Sequence, residues 1–232
     1  MRERPFVPAK PAARRATVVV DVVVLSPRDD AMTVLLTPSP PSARERWSLP
    51  WDGPRDRETI DATGVRLARA LLGGPPAFVE QVGTLSDGRH PAGAELSIGV
   101  VALSPFDSAA PVPGSAAAWF PLGALPPLAT RQRAVVDRAA LAVRQRMDQA
   151  PIAFHLLPPA FTLGELQEIY ELLLGRRLHK ASFRRALQGS HLVQPTDVWR
   201  SEGRGRPAQL FRYAPKKRRR AGRSVRFDLS GE

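Results

Sequence analysis

The chain of 232 residues has no cysteine, and only four histidines, three methionines and two tyrosines. Without thiols there are no disulfides and no zinc–thiolate sites. The histidines, His90, His155, His179 and His191, fall at no metal-ligand spacing, so no metal site is expected from them. No Ser-His-Asp arrangement and no glycine-rich phosphate loop stands out. Long apolar runs are missing too. The longest, over 17–25, is interrupted by Asp21, and a membrane helix needs roughly 20 such residues. Arg14 and Arg15 ahead of it give a superficial likeness to a signal peptide, but the apolar part is short, charged and lacks a small-residue cleavage site. A β-strand fits better, and the chain is expected to be cytoplasmic with no membrane partner.

What is present suffices for a folded protein. Hydrophobic residues make up 43% of the chain, and its length accommodates two modest domains with real cores. The formal charge of +12 is unevenly spread. Residues 1–150 carry 18 basic against 15 acidic side chains, a net +3, whereas 151–232 carry 16 against 7, a net +9. A near-balanced first part joined to a basic last third points to a polyanion as the partner of the latter. The run KKRRR at 216–220 contributes much of this charge, and it reads equally as a solubilising tail.

Along the chain, 1–15 is expected to be a flexible lead-in. The valine-rich 17–26 predicts a strand buried on both faces, and 32–37 a second strand joined to it as a hairpin through 27–30. After the prolines of 38–41 comes WSLPWDG at 47–53, a turn leading into a helix over 58–72. Ile60, Gly64, Leu67, Ala68 and Leu71 form its apolar stripe, and GGPP at 73–76 ends it. Strands are expected over 78–85 and 95–104, separated by a loop over 86–93 that holds Asp87 and Arg89. A loop over 105–115 and a short strand at 119–122 follow. The helix over 131–147 repeats Val135, Ala139, Val143 and Met147 every four residues. An apolar link over 152–157 comes next, and the domain boundary is placed near 150.

The stretch 161–213 has its own logic. Thr162 and Glu165 form a capping box, Leu163, Leu166, Tyr170, Leu173 and Leu174 recur at helical spacing, and Gly175 supplies the stop. A turn over 176–179 leads to a second helix over 180–188, ending at Gly189, with Phe183, Ala186 and Leu187 inward. Lys180, Arg184 and Gln188 make a row on its other side, with Ser182 and Arg185 beside them. Such a helix suits a major groove, where arginine reads guanine and amides read adenine; a solvated basic face is the ordinary alternative. Extended runs from Leu192 and over 208–213 flank GRGRP at 203–207, so Arg204 and Arg206 sit on a tip suited to phosphates or a narrow minor groove. A polar hairpin turn needs no such purpose. The combination is a DNA-binding winged helix-turn-helix in outline.

The order of elements in 16–150, a strand pair, a Leu-Pro turn, a helix and more strands, is that of a Nudix domain. That family's box has the form G-x5-E-x7-R-E-U-x-E-E-x-G-U, with U a bulky aliphatic residue. Its glutamates hold divalent cations against a diphosphate, because hard cations take oxygen ligands and neutralise charge in the displacement. Laid on this sequence from Leu49 and Pro50, the box glycine falls on Asp52, the first glutamate on Glu58 and the arginine on Arg66. The next glutamate becomes Leu67, and the metal-binding pair becomes Ala70 and Leu71. Any turn and helix can be laid on so degenerate a box. Yet QVGT at 81–84, WFPL at 119–122, LPPLA at 125–129, PIAF at 151–154, FTL at 161–163, ELQ at 165–167, FRR at 183–185 and GRPA at 205–208 arrive in order. Over roughly 16–213 the chain closely resembles the Nudix-related transcriptional regulators of NAD metabolism, which fuse a Nudix domain to a C-terminal winged helix.

The resemblance implies an α+β protein: a Nudix-like α/β/α sandwich over 16–150 as effector and dimerisation domain, a winged helix-turn-helix DNA-binding domain over 151–215, and a basic tail over 216–232. It implies a bacterial homodimeric repressor of NAD biosynthesis or salvage genes, bound to an inverted repeat in double-stranded DNA. The Nudix domain would sense ADP-ribose or a related NAD-derived nucleotide without hydrolysing it, and no cofactor is expected. Trp47, Asp87 and Arg89 are the candidate ligand contacts, Trp47 as a stacking platform or as a core aromatic at the sheet edge. There are departures. The family's LDKRNFRR is LHKASFRR at 178–185, so His179 stands for the aspartate N-cap and Ser182 for asparagine, while Lys180, Arg184 and Arg185 match. His90 replaces the aspartate of an R-D-P loop, and Trp51 and Asp52 replace paired glycines. An aspartate there repels phosphate unless a cation intervenes. The rival readings are a Nudix-type nucleotide diphosphate hydrolase with a basic appendage, which would need the lost glutamate pair, and an RNA-associated basic protein with loose, salt-sensitive binding.

Overall fold

The computed structural model describes residues 16–105, 111–147, 151–201 and 207–214. The lead-in over 1–15, Arg204, Arg206 and the tail over 216–232 lie outside these residues, as does part of the loop expected over 105–115.

Strand β1 (Val18–Arg28) is the spine, with every residue from Val19 to Pro27 buried. It lies between β2 (Ala31–Pro38), antiparallel, and β6 (Leu96–Leu103), parallel. Asp29 and Asp30, at φ 46° and 58°, make the two-residue turn into β2, a left-handed conformation that aspartate tolerates better than most residues. Among the described residues the sheet has seven strands. Its main path is β3 (Trp47–Ser48), β2, β1, β6 and β5 (Phe78–Leu85), with β4 (Trp51–Asp52) on β1 and β7 (Ala118–Pro121) on β2.

Alternate residues of β1 serve opposite faces. Val20, Val22 and Val24 pack with Ala68 and Leu72 of α1 (Ile60–Leu72), whereas Val23 and Leu25 pack with Val135, Ala139 and Val143 of α2 (Thr130–Arg146). The result is an α/β/α sandwich. Two glycines let the helices ride close: a Cβ on Gly64 would stand 2.8 Å from Val100 Cγ1, and one on Gly99 would stand 2.9 Å from Val135 Cγ1. Helix α1 starts later than expected because Thr59 caps it, its side chain accepting from Ala62 N, while Glu58 turns away to Arg66. Leu72, rather than Leu71, is the buried leucine of its last turn. It follows Ala68 by four residues on the sheet side, which rotates Leu71 towards the surface.

The chain then crosses into the basic part through a short 3-10 turn over Ile152–Leu156, in which Ile152, Ala153, Phe154 and Leu156 are buried. These residues join one continuous apolar cluster that holds Val135 and Val143 on one side and Phe161, Leu166, Tyr170, Phe183 and Leu187 on the other. No helix among the described residues is long and apolar enough to cross a membrane.

Candidate nucleic-acid interface and nucleotide site

Helix α3 (Leu163–Leu174) opens with the reciprocal cap: Thr162 Oγ1 accepts from Glu165 N at 3.1 Å, and Glu165 Oε2 accepts from Thr162 N at 2.7 Å. Gly175, at φ 68°, closes it. The turn that follows hangs on Glu171, whose carboxylate accepts from Gln167 Nε2 at 2.8 Å, Leu178 N at 2.9 Å and Arg177 Nη1 at 2.9 Å. Burial pushes this carboxyl up, but those hydrogen bonds outweigh burial and hold it below its ordinary value.

Helix α4 (Lys180–Ser190) is therefore delivered in a fixed orientation. Phe183 and Leu187 are buried, and the Phe183 ring meets Tyr170 edge-on at 5.6 Å. Lys180, Ser182, Arg184, Arg185 and Gln188 are all exposed. Among the described residues no carboxylate pairs with Arg184 or Arg185. His179, in the N-cap position, makes no cap hydrogen bond; its Nδ1 lies 3.4 Å from Ser182 Oγ instead. The helix also runs past the glycine expected to end it. Gly189 stays helical and His191, at φ 54°, takes the left-handed position. Ser190 makes this possible, since its Oγ donates to Leu187 O at 2.6 Å and accepts from Leu192 N at 3.3 Å.

The ribbon of β8 (Val193–Arg200) and β9 (Ala208–Tyr213) pairs Val193 with Tyr213 and Arg200 with Ala208. Phe161 and Phe211 exchange both backbone hydrogen bonds, at 2.9 and 2.7 Å, so the residue ahead of α3 is stitched to the ribbon. Glu165 serves twice, because its capping oxygen Oε2 also meets Arg200 Nη2 at 2.6 Å. The tip arginines Arg204 and Arg206, between the two strands in sequence, fall outside the described residues.

In the other half, Arg66 reaches Glu58 from Nε at 2.8 Å and Nη2 at 3.0 Å, and Asp52 Oδ2 from Nη1 at 2.8 Å. Hydrogen bonding by Arg66, helped by the Arg55 amide, holds the Glu58 carboxyl down at about 2. Asp52 is thus not an unmatched anion at the box glycine; Arg66 is the cation that intervenes. Beyond this clamp, Leu67, Ala70 and Leu71 line a groove of about 370 Å³ with Pro38, Pro50 and Trp51, and no acidic residue shares its lining. The side-chain oxygens in that lining are the hydroxyls of Thr37, Ser39 and Ser48.

The loop over 86–94 is shaped by the first turn of α2. Buried Arg131 donates to the carbonyls of Ser86 at 2.6 Å, Asp87 at 3.1 Å, Gly88 at 2.8 Å and Ala94 at 2.6 Å. Thr130 Oγ1 accepts from Arg89 N at 2.8 Å. His90 is buried: its Nδ1 accepts from Ala92 N, which leaves Nε2–H to donate to Asp21 Oδ1 at 3.1 Å. Gln132 Nε2 donates to the same oxygen at 2.7 Å, and its Oε1 accepts from Leu49 N at 3.1 Å.

Of the three ligand candidates, Arg89 pairs through its guanidinium with Glu45, two residues before Trp47. The Trp47 ring meets Phe120 edge-on at 4.9 Å, with Arg46 5.7 Å above it, and Asp87 is exposed. The Arg89–Glu45 pair brings the loop over 86–94 beside the residues that lead into β3, but none of the three lines the groove beside Leu67 and Leu71. Arg131, Gln132 and Glu171 were not singled out by sequence reasoning. Their only sequence signal is a charged or amide side chain within an otherwise apolar periodicity.

A family model described as the NrtR DNA-binding winged helix domain matches residues 153–213. The ADPR responsive transcriptional repressor NtrR of Acinetobacter baylyi is 48% identical over 71 residues, which span 31% of this chain and 27% of that protein. The match thus covers little more than a quarter of the relative's length. Shewanella oneidensis NrtR, in its crystal structure with a 27mer DNA, superposes with a TM-score of 0.74 at 27% identity, covering 85% of this chain and 94% of that one. A MutT/nudix family protein from Enterococcus faecalis, at 17% identity and a TM-score of 0.67 over 89% of this chain and 90% of its own, shares the fold. The chain is thus similar to NrtR in both of its parts, through a winged helix that the NrtR model matches over 153–213 and a Nudix-like sandwich that superposes on the Shewanella oneidensis structure.

Proposed function

We propose that this chain is a DNA-binding transcriptional repressor of NAD biosynthesis or salvage genes, tuned by an ADP-ribose-like nucleotide. It acts in the cytoplasm as a homodimer on an inverted repeat, with 16–150 as the sensing and dimerisation unit and 151–215 as the reading head. The observation that carries this reading is α4, a helix anchored by Phe183 and Leu187 that leaves Arg184, Arg185, Gln188, Lys180 and Ser182 exposed. Arg184 and Arg185, helped by Lys180, read the major groove, where arginine suits guanine and Gln188 suits adenine, with Ser182 beside them. Arg204 and Arg206 anchor the wing on phosphates or in the minor groove. The name of the Acinetobacter baylyi relative as an ADPR responsive repressor, and the DNA complex of Shewanella oneidensis NrtR, support the reading.

The N-terminal domain senses rather than hydrolyses, since Leu67, Ala70 and Leu71 stand where the box needs carboxylates. Arg89, Trp47 and Asp87 are the contacts proposed for the nucleotide. The test is a titration of operator and scrambled duplexes with and without ADP-ribose, beside an assay for AMP release with magnesium. Selective binding, weakened about 5- to 150-fold by the nucleotide, is expected, and DNA should weaken nucleotide binding by the same factor. Equal binding to both duplexes would overturn the repressor role. Metal-dependent AMP release that Glu58→Gln abolishes would restore the hydrolase.

A further inference from the structure

Helix α2 runs between the two features that regulation has to connect. Its first turn holds the loop over 86–94: Arg131 gathers four loop carbonyls and Thr130 takes the Arg89 amide. Some 20 Å further along, at 1.5 Å per residue, Arg144 Nε donates to Leu173 O at 3.2 Å. That carbonyl lies in the last turn of α3, where carbonyls lack partners within their own helix and a cation is favoured by the helix dipole. Two residues later α3 stops at Gly175, and the turn held by Glu171 leads straight into α4. Val143 and Met147, on either side of Arg144, are buried in the same apolar cluster as Ile169 and Leu173. Arg144 itself is exposed, so its role is not one of filling the core.

We propose that Arg144 is a positioning residue for α4. Acting through α3, it ties the reading helix to the loop that Arg131 shapes, and α2 is the rod between them. The proposal rests on the reading of α4 as the DNA-contacting helix and of the N-terminal domain as a nucleotide sensor. A continuous helix with buried contacts at both ends transmits displacement instead of absorbing it. A shift of the 86–94 loop therefore arrives at the end of α3, and the short turn passes it to α4.

The experiment uses the full chain, ADP-ribose at millimolar concentration and a duplex enriched by the intact protein from a randomised pool. Arg144→Ala should keep affinity for that duplex within about threefold of the parent when nucleotide is absent. The weakening caused by ADP-ribose, expected at about 5- to 150-fold in the parent, should fall below about twofold. Arg144→Lys, which still offers a donor to Leu173 O, should retain most of it. In hydrogen exchange without any ligand, amides over 176–187 should exchange faster in Arg144→Ala but not in Arg138→Ala, a neighbouring exposed arginine of the same helix. Unchanged exchange over 176–187 overturns the proposal, and so does an undiminished nucleotide effect in Arg144→Ala. If the parent itself ignores ADP-ribose, the sensing reading fails, and the exchange measurement alone decides whether Arg144 positions α4.

Discussion

Helices α1 and α4 are both short amphipathic helices laid against a core, and both carry arginine on the side turned away from it. In α1 the guanidinium of Arg66 is used up by Glu58, Asp52 and the Gly53 carbonyl. In α4 Arg184 and Arg185 stand exposed with no carboxylate against them among the described residues. The acidic groups are distributed to match. Asp52 and Glu58 lie ahead of α1, whereas Glu171, in the helix before α4, points back into the turn and accepts from the Leu178 amide. An arginine whose forks are filled shapes the protein, and one whose forks are empty is available to a partner. Composition alone cannot make that distinction, because both helices read as basic and amphipathic.

The contrast is broken most severely at the anchor of α4. Phe183→Ala removes a fully buried ring, so a loss of about 3–5 kcal/mol in urea unfolding is expected, together with binding to every duplex. The next effect is narrower. Arg184→Ala and Arg185→Ala should leave the unfolding curve in place and each remove about 1–3 kcal/mol of discrimination between operator and scrambled DNA. Equal loss on both duplexes would mean that α4 only grips phosphates. On the α1 side the readout is acid. The Glu58 carboxyl sits at about 2 in the folded chain against an ordinary value of 4.5. Its contribution to stability is therefore complete above that ordinary value and is lost as pH falls towards 2. Glu58→Gln should remove this part of the acid limb in unfolding measured from pH 7 to pH 2, with operator affinity at neutral pH unchanged. The smallest effect concerns the end of α4: His191→Gly should stabilise by about 0.5–1 kcal/mol, relief of the left-handed strain exceeding the entropy that glycine adds, without altering DNA selectivity.

The features legible in the sequence were those with short reach. The Thr162–Glu165 cap spans three residues, and the valine run of β1 announces its own burial. Helix ends were harder. Gly189 looked like the stop, but a serine hydroxyl two bonds from the backbone let the helix continue to Ser190. What stayed hidden were polar contacts between distant positions. Gln132 meets Asp21 across 111 residues, and Arg131 finds carbonyls more than 35 residues away. A side chain's inward role of that kind is fixed only when the sheet and α2 come together, so no local periodicity announces it. The ligand trio shows the same limit, because nothing near Trp47 in sequence foretells the Arg89–Glu45 pair that brings the loop over 86–94 beside β3.

The bond pair between Phe161 and Phe211 has a consequence for the order of assembly. It closes a loop that contains α3, α4 and the whole of β8, and closing a loop of that size costs about 3–4 kcal/mol of chain entropy. The N-terminal sandwich can form on the ribosome before any of this is made. The part from Phe161 onward cannot, since Phe161 is pinned by Phe211. Until Phe211 is made, the nascent chain carries a closed N-terminal sandwich and a C-terminal part whose ribbon is still open, so the two parts close in sequence.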